Sequence, residues 1–165
     1  MPSVLFVCTA NICRSPMAAA LFVVHIQQIT NDWRDWRVES AGTWVGQSRP
    51  AALEAQKLMK QYGKDISRHL SREVSAELLG RFNLILTMEP GQKEALKVEF
   101  PQFADRIFLL SEMSGMAISV MDPVGQPISA FQASADQINW LLHNGMERIL
   151  YLGRTAPKPG KVETL

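Results

Sequence analysis

The sequence is short of cysteine, of surplus charge and of long apolar runs, and each shortage excludes a class of protein. Only two cysteines occur, Cys8 and Cys13, five positions apart. So close a pair cannot staple distant parts of a secreted fold, which leaves either two packed, inert thiols or a reactive thiol with a redox neighbour. Lys and Arg number 17 against 16 Asp and Glu, a formal net charge of +1. That balance gives no basic face of the kind that binds nucleic acid or an anionic membrane, so any anion must be held locally. No apolar run approaches the ~18 residues needed to cross a bilayer, and the amino terminus lacks a basic stretch followed by a long apolar one. A cytoplasmic protein is expected, with neither membrane nor nucleic acid as partner. No cluster of histidine, cysteine and carboxylate falls at metal-ligand spacing.

What is present points to a single layered domain. The 165 residues, 47% of them hydrophobic and 20% charged, suit one globular unit with a sizeable core. Four short aliphatic or β-branched runs read as strands, at 3–8 (SVLFVC), 36–41 (WRVESA), 83–88 (NLILTM) and 106–110 (RIFLL). Segments of helical periodicity separate them. The first opens with Ser15 as cap and Pro16 at its first position and runs to about Gln28. The second follows Pro50, carries Leu58, Met59 and Tyr62 on one side, and stops at Gly63. Two shorter ones follow, one capped by Ser71 and ended by Gly80, the other within 90–100 and halting before Pro101. The last shows a capping-box pattern at Ser129 and Gln132, with Phe131, Ile138, Leu142 and Ile149 at helical spacing. This alternation predicts an α/β fold, a mainly parallel sheet with helices on both faces, over residues 1–151. A loosely held polar tail is expected at 152–165. Ligands of such sheets sit beyond the carboxyl ends of the strands, where CTANICRS, residues 8–15, joins the first strand to the first helix.

The residues of that junction suit a phosphoryl group. The amide N–H groups of Thr9, Ala10, Asn11, Ile12, Cys13 and Arg14 can curl around its oxygens, and the following helix adds the positive end of its dipole. Arg14 can grip two oxygens with its planar fork. Cys8, at the floor of the curl, feels the same field, which favours a thiolate placed in line beneath phosphorus. Ser15 can donate a hydrogen bond that stabilises the sulfur as it departs. The leaving oxygen still needs a proton, and Asp122 in MDPVGQP is the candidate acid, stiffened by Pro123. Taken alone, the same aspartate reads as a turn residue before proline.

VLFVCTANICRSPMAAAL at residues 4–21, VESAGT at 38–43 and the Asp122-Pro123 pair together resemble the low-molecular-weight protein tyrosine phosphatases, with matching elements from residue 3 to about 151. The resemblance implies a four-stranded parallel sheet of flavodoxin-like order. It implies Cys8 as nucleophile, Arg14 as phosphate-binding arginine, Ser15 as the thiolate's partner and Asp122 as general acid/base. It also implies that Asn11 is left-handed and tied to Ser40, and that His69 belongs to that supporting network. Outside the resemblance, His69 reads as a surface or satisfied core histidine, and His25 and His143 carry no motif. A phosphorylated protein is the implied substrate and inorganic phosphate the implied product.

Two departures from the family pattern bear on specificity. Many members follow Asp-Pro with aromatic residues that wall the substrate cleft, where this chain has Val124, Gly125 and Gln126. Trp44 either replaces part of that wall or covers the sheet edge. Relatives resembling phosphoarginine phosphatases have threonine where Ile12 stands, and tyrosine-directed ones an aliphatic residue, so Ile12 favours an aryl phosphate with phosphoarginine as alternative. Arsenate reduction on such a loop needs resolving cysteines downstream, and none follows Cys13. Cys13 either condenses with an oxidised Cys8 and protects it, or simply packs the loop. A phosphate-docking module without catalysis is disfavoured because each reactive residue is present.

Overall fold

The computed structural model describes residues 1–155. Its strands β1 (Ser3–Cys8), β2 (Arg37–Gly42), β3 (Leu84–Thr87) and β4 (Ile107–Leu109) form one sheet in the order β2-β1-β3-β4, every neighbouring pair parallel. Helices α1 (Arg14–Ile29), α2 (Leu53–Gln61), α3 (Ala76–Leu79), α4 (Pro90–Glu99) and α5 (Ile128–Arg154) fill the connections. The architecture is the three-layer, flavodoxin-like α/β fold expected from the alternation of elements and from the resemblance.

β1 is buried along its whole length, which is why it reads as an unbroken apolar run rather than an alternating one. Its two faces feed different cores. Val4, Phe6 and Cys8 pack with Met17, Leu21 and Phe22 of α1 and Ile138 and Leu142 of α5. Leu5 and Val7 pack with Leu78, Leu79, Phe82 and Leu96 on the other face. The central position of β1 has a consequence at its end. β2 lies on one side and β3 on the other, so the chain order reverses there and a crevice opens at the carboxyl edge. Cys8 is the last residue of that strand.

On each edge strand one backbone group is taken by a side chain. Arg72 Nε donates to the Ser40 carbonyl of β2 at 3.2 Å, and the Leu109 amide of β4 donates to the Glu112 carboxylate at 2.9 Å.

Four element ends differ from the sequence reading, each for a local reason. α1 starts at Arg14 with Cys13 at its cap position and no side-chain cap, and Ser15 lies inside the first turn. Its hydroxyl is occupied by the site rather than by the helix end. Ser71 caps no helix, because its hydroxyl accepts from the Arg49 amide; Ser75 caps the one-turn α3 by accepting from the Leu78 amide. Pro127 precedes α5, so Ser129 lies within the helix and Gln132 bonds to Asp136 instead of closing a box. α5 also continues to Arg154, where Gly153 lets it pass against the Trp36 ring. The expected tail therefore begins later than 152, and the rest of it lies outside the described residues.

Between β4 and α5 the chain makes a 3-10 turn at Ser111–Ser114 that packs against α5 at Gly145. A Cβ at residue 145 would meet Met113 Cβ at 2.6 Å and its carbonyl carbon at 3.0 Å. Gly145→Ala is expected to lower stability by about 1–3 kcal/mol through overpacking, read as an earlier urea midpoint. An unchanged midpoint would mean that the turn yields freely.

Candidate active site

Residues 8–15 curl over the carboxyl end of β1, and the curl turns its carbonyls outward. The Thr43 amide donates to Cys8 O at 2.9 Å, the Trp44 amide to Thr9 O at 3.0 Å and the Ala52 amide to Ile12 O at 2.9 Å. His69 Nε2 lies 2.7 Å from Asn11 O. With the carbonyls engaged from behind, the amide N–H groups of residues 9–13 donate to nothing among the described residues. They ring the space above Cys8, together with the first turn of α1. Amide donors convergent at a helix start form an anion site.

Asn11 shapes the curl. It alone among the described non-glycine residues has positive φ, at 59°. Asparagine tolerates that region, and here its side chain is also committed. Nδ2 donates to Ser15 Oγ at 2.8 Å and Ser40 Oγ at 2.9 Å, while Oδ1 accepts from the Arg72 amide at 3.0 Å. The residue is fully buried. Ser15 Oγ, held by Asn11, sits 2.9 Å from Cys8 Sγ. Gly42 completes the packing behind the loop. A Cβ there would stand 2.4 Å from Thr9 O, so only glycine lets β2 approach this closely.

Among the described residues Arg14 is the largest fully buried side chain, and its guanidinium is held on several sides. Nη1 donates to Val120 O at 2.9 Å and lies 3.2 Å from Glu89 Oε1; Nη2 lies 3.5 Å from Asp122 Oδ2. A buried cation with this many acceptors is fixed in one orientation before anything binds. Asp122 accepts from the Val124 amide at 3.1 Å across Pro123, and its side chain is 40% exposed at the rim. Burial, with Asp122 and Cys8 nearby, pushes the Cys13 thiol up to about 12. Cys13 therefore stays protonated near neutral pH, which slows its attack on an oxidised Cys8, since the thiolate is the reactive form. Both cysteines are free.

The residues singled out in the sequence mostly meet here. Cys8, Ala10, Asn11, Ile12, Cys13, Arg14, Asp122 and Val124 line one small cavity, with Ser15, Ser40 and His69 behind it. Thr9 turns its hydroxyl away, to accept from Gln92 Nε2 at 3.0 Å. Trp44 does not line the cavity. Its backbone touches the loop, but the residue is 78% exposed. Val124 occupies the rim instead. The sequence reading missed Glu89, Gln92, Arg72, Gly42 and the Val120 carbonyl. Glu89 carried a usable signal, since it lies two residues past β3 at the carboxyl edge where such sheets place their ligands. His25 bonds to Asn139 on α5, apart from the cavity.

A parallel α/β sheet that ends its central strand in a thiol ringed by amide donors and a buried arginine defines an oxyanion-handling enzyme. The chain belongs to the low molecular weight phosphotyrosine protein phosphatase family, whose profile matches residues 3–150. Among curated relatives, a protein-arginine-phosphatase of Geobacillus stearothermophilus is 32% identical over 147 residues, 88% of this chain and 95% of its own. A probable low molecular weight protein-tyrosine-phosphatase, EpsP of Ralstonia nicotianae, is 32% identical over 92% of this chain and 98% of its own. Among solved structures, a low molecular weight protein tyrosine phosphatase from T. tengcongensis superposes with TM-score 0.82 at 36% identity, covering 90% of this chain and 99% of that one.

Two measurements probe the support behind the loop. Asn11→Gly keeps the positive φ but removes the side-chain bonds, whereas Asn11→Ala adds backbone strain. Both variants are expected to lose on the order of 10²-fold in kcat for an aryl phosphate through misplaced donors. Both should also lose the stability of the buried side-chain bonds, and the alanine variant about 1 kcal/mol more from strain. Wild-type kcat in Asn11→Gly would show that the side-chain bonds do not hold the loop.

His69 yields a pH dependence. A carbonyl only accepts, so Nε2 carries the hydrogen in the bond to Asn11 O. Burial, with Arg72 adding to it, holds the imidazole below the ordinary histidine range, against the pull of that bond. The unfolded chain takes up its proton near pH 6.5 while the folded one resists to lower pH, so the unfolded state binds more protons in that window. Neutral His69 thus contributes stability that is complete above about pH 6.5 and is lost as pH falls below it. Unfolding free energy should drop from about pH 6.5 towards 5, with a smaller slope in His69→Gln. Equal slopes would assign the drop to other groups.

Proposed function

We propose that the protein is a protein tyrosine phosphatase that hydrolyses phosphotyrosine monoesters through a cysteinyl-phosphate on Cys8. The observation that carries this reading is the convergence of the Cys8 thiol, the inward amides of residues 9–13, Arg14 and Asp122 on one cavity. The Cys8 thiolate attacks phosphorus, an S–P bond forms, and the bond to the tyrosyl oxygen breaks. Asp122 gives its proton to the departing phenolate. Ser15 hydrogen-bonds the sulfur, and the amides and Arg14 hold the three equatorial oxygens as charge develops on them. Asp122, now a carboxylate, takes a proton from water as it attacks phosphorus, the S–P bond breaks, and inorganic phosphate leaves. Thr9, Ala10, Asn11, Ile12 and Cys13 contribute backbone donors, Ser40 and His69 hold Asn11, and Trp44 stands near the rim. No metal or cofactor takes part in this scheme. A phosphorylated protein in the cytoplasm is the proposed partner. Among the described residues no helix is long and apolar enough to cross a membrane.

A second reading has support of its own. Relatives named protein-arginine-phosphatase, from Geobacillus stearothermophilus and Bacillus subtilis, are 32% and 33% identical to this chain. The rim residue Val124 is aliphatic, so it offers no ring for an aryl group to stack on. Ile12 in the cavity wall supports the tyrosine reading. An arsenate reductase of Staphylococcus aureus is also similar, at 33% identity. This chain has no cysteine after Cys13 to serve as a downstream resolving thiol.

Matched peptides carrying phosphotyrosine or phosphoarginine test the choice, and the tyrosine peptide is expected to have the higher kcat/KM. Faster turnover of phosphoarginine would replace the main reading by the second. Cys8→Ser should abolish hydrolysis of both, and retained activity would end the covalent scheme. Asp122→Ala should slow esters with poor leaving groups by about 10²–10⁴-fold and good ones far less. An equal loss across leaving groups would remove Asp122 as the acid.

A further inference from the structure

Helix α4 begins at the active site and leads away from it. Glu89, the residue before its first turn, lies 3.2 Å from Arg14 Nη1. Lys93 and Lys97 follow at the fourth and eighth positions after Glu89, on the same side of the helix. At 1.5 Å per residue they stand about 6 and 12 Å along the axis from it. Both line an open groove of about 410 Å³ whose other wall is Phe108 of β4 and Arg148 of α5.

The charge in this groove is not balanced. Glu112 contributes the lining's one carboxylate, and it is already committed: one oxygen pairs with Lys93 and the other accepts the Leu109 amide at 2.9 Å. Burial works against its charge, but the Lys93 bond and the Leu109 amide outweigh it and hold the carboxyl below the ordinary glutamate range. Glu112 therefore neutralises one cation of three. Lys97, half-buried, makes no hydrogen bond or ion pair among the described residues. Arg148 donates to the Glu112 backbone carbonyl at 3.2 Å and lies 5.6 Å over the Phe108 ring, which leaves its charge without a carboxylate partner among the described residues. A half-buried lysine and a ring-stacked arginine on one groove, with Glu112 as the lining's single carboxylate and already paired to Lys93, leave a net positive charge that favours an anionic ligand.

We infer that this groove is a docking site for acidic residues of the protein substrate, about two to four positions from the phosphorylated residue. The spacing follows from the helix: an extended peptide advances about 3.3 Å per residue, so offsets of about 6 and 12 Å correspond to about two and four residues. The inference rests on the reading that the substrate is a phosphoprotein. Free aryl phosphates do not reach the groove, so it acts on peptide affinity and leaves the chemical step alone.

Phosphotyrosine peptides with Glu at the second to fourth positions, on either the amino or the carboxyl side, are compared with Gln counterparts at low and high salt. The acidic peptide on one side should show a KM lower by about three- to tenfold at low ionic strength, with kcat unchanged and the advantage lost in high salt. Lys97→Glu should remove or invert the preference and Lys97→Met should weaken it. Both variants should turn over p-nitrophenyl phosphate as the wild type does, which shows that they are folded. Equal KM for Glu and Gln peptides on both sides, or a preference that persists in Lys97→Glu and Arg148→Glu, overturns the inference. If the wild type hydrolyses neither peptide nor p-nitrophenyl phosphate, the phosphatase reading fails, and the docking site falls with it.

Discussion

A loop that points its amides at an anion must turn its carbonyls the other way, and those carbonyls need donors. Most of this structure answers that requirement. Amides of Thr43, Trp44 and Ala52 and the ring of His69 arrive from the segments after β2 and from the loop before α3, each meeting one carbonyl of the 8–12 stretch. Inward amides without outward partners would leave buried acceptors unsatisfied, at about 1–3 kcal/mol each. The site is thus supported from behind by backbone, and Asn11 at φ 59° is the hinge that reverses the chain direction.

Electrostatics divides the same region into two parts. Around Cys8 lie the loop amides, the Ser15 hydroxyl and the start of α1. Around Arg14 lie acceptors: Val120 O, Glu89 and Asp122. The arginine joins the two parts, because a planar cation can face an anion with some donors while others stay bonded to the protein. Its burial makes removal of any one partner consequential, since an uncompensated charge in a dry site costs several kcal/mol. Cys13 shows how local such effects are. It lies one residue from Arg14, yet burial keeps its thiol protonated.

The rim follows different physics from the floor. Val124 at the rim is half exposed, and its side chain is not among the groups that hold the loop, so substitution there leaves the loop geometry intact. A family can keep one floor and change the rim. That fits the names of the relatives, which include tyrosine phosphatases, arginine phosphatases and an arsenate reductase.

The sequence by itself determined the strand and helix order, the place of the site and the residues at its floor. A buried strand is an unbroken apolar run, a helix interrupts it with a different period, and the junction CTANICRS spells its chemistry locally within eight residues. The sequence signal was weaker at helix ends: Ser71 and Ser129 looked like caps, but their surroundings in the fold settled Ser75 and Pro127 as the real boundaries. Only the tertiary structure decided which distant groups complete the site. Glu89, Gln92, Arg72, Gly42 and the Val120 carbonyl lie 31 to 106 positions from the site residues they contact, and no local pattern records a carbonyl's direction or a 2.4 Å clearance. The fold likewise placed Trp44's ring in solvent and Val124 at the rim. Those assignments depend on the angle at which β2 and the Asp122 loop leave the sheet, a property of packing rather than of residue type.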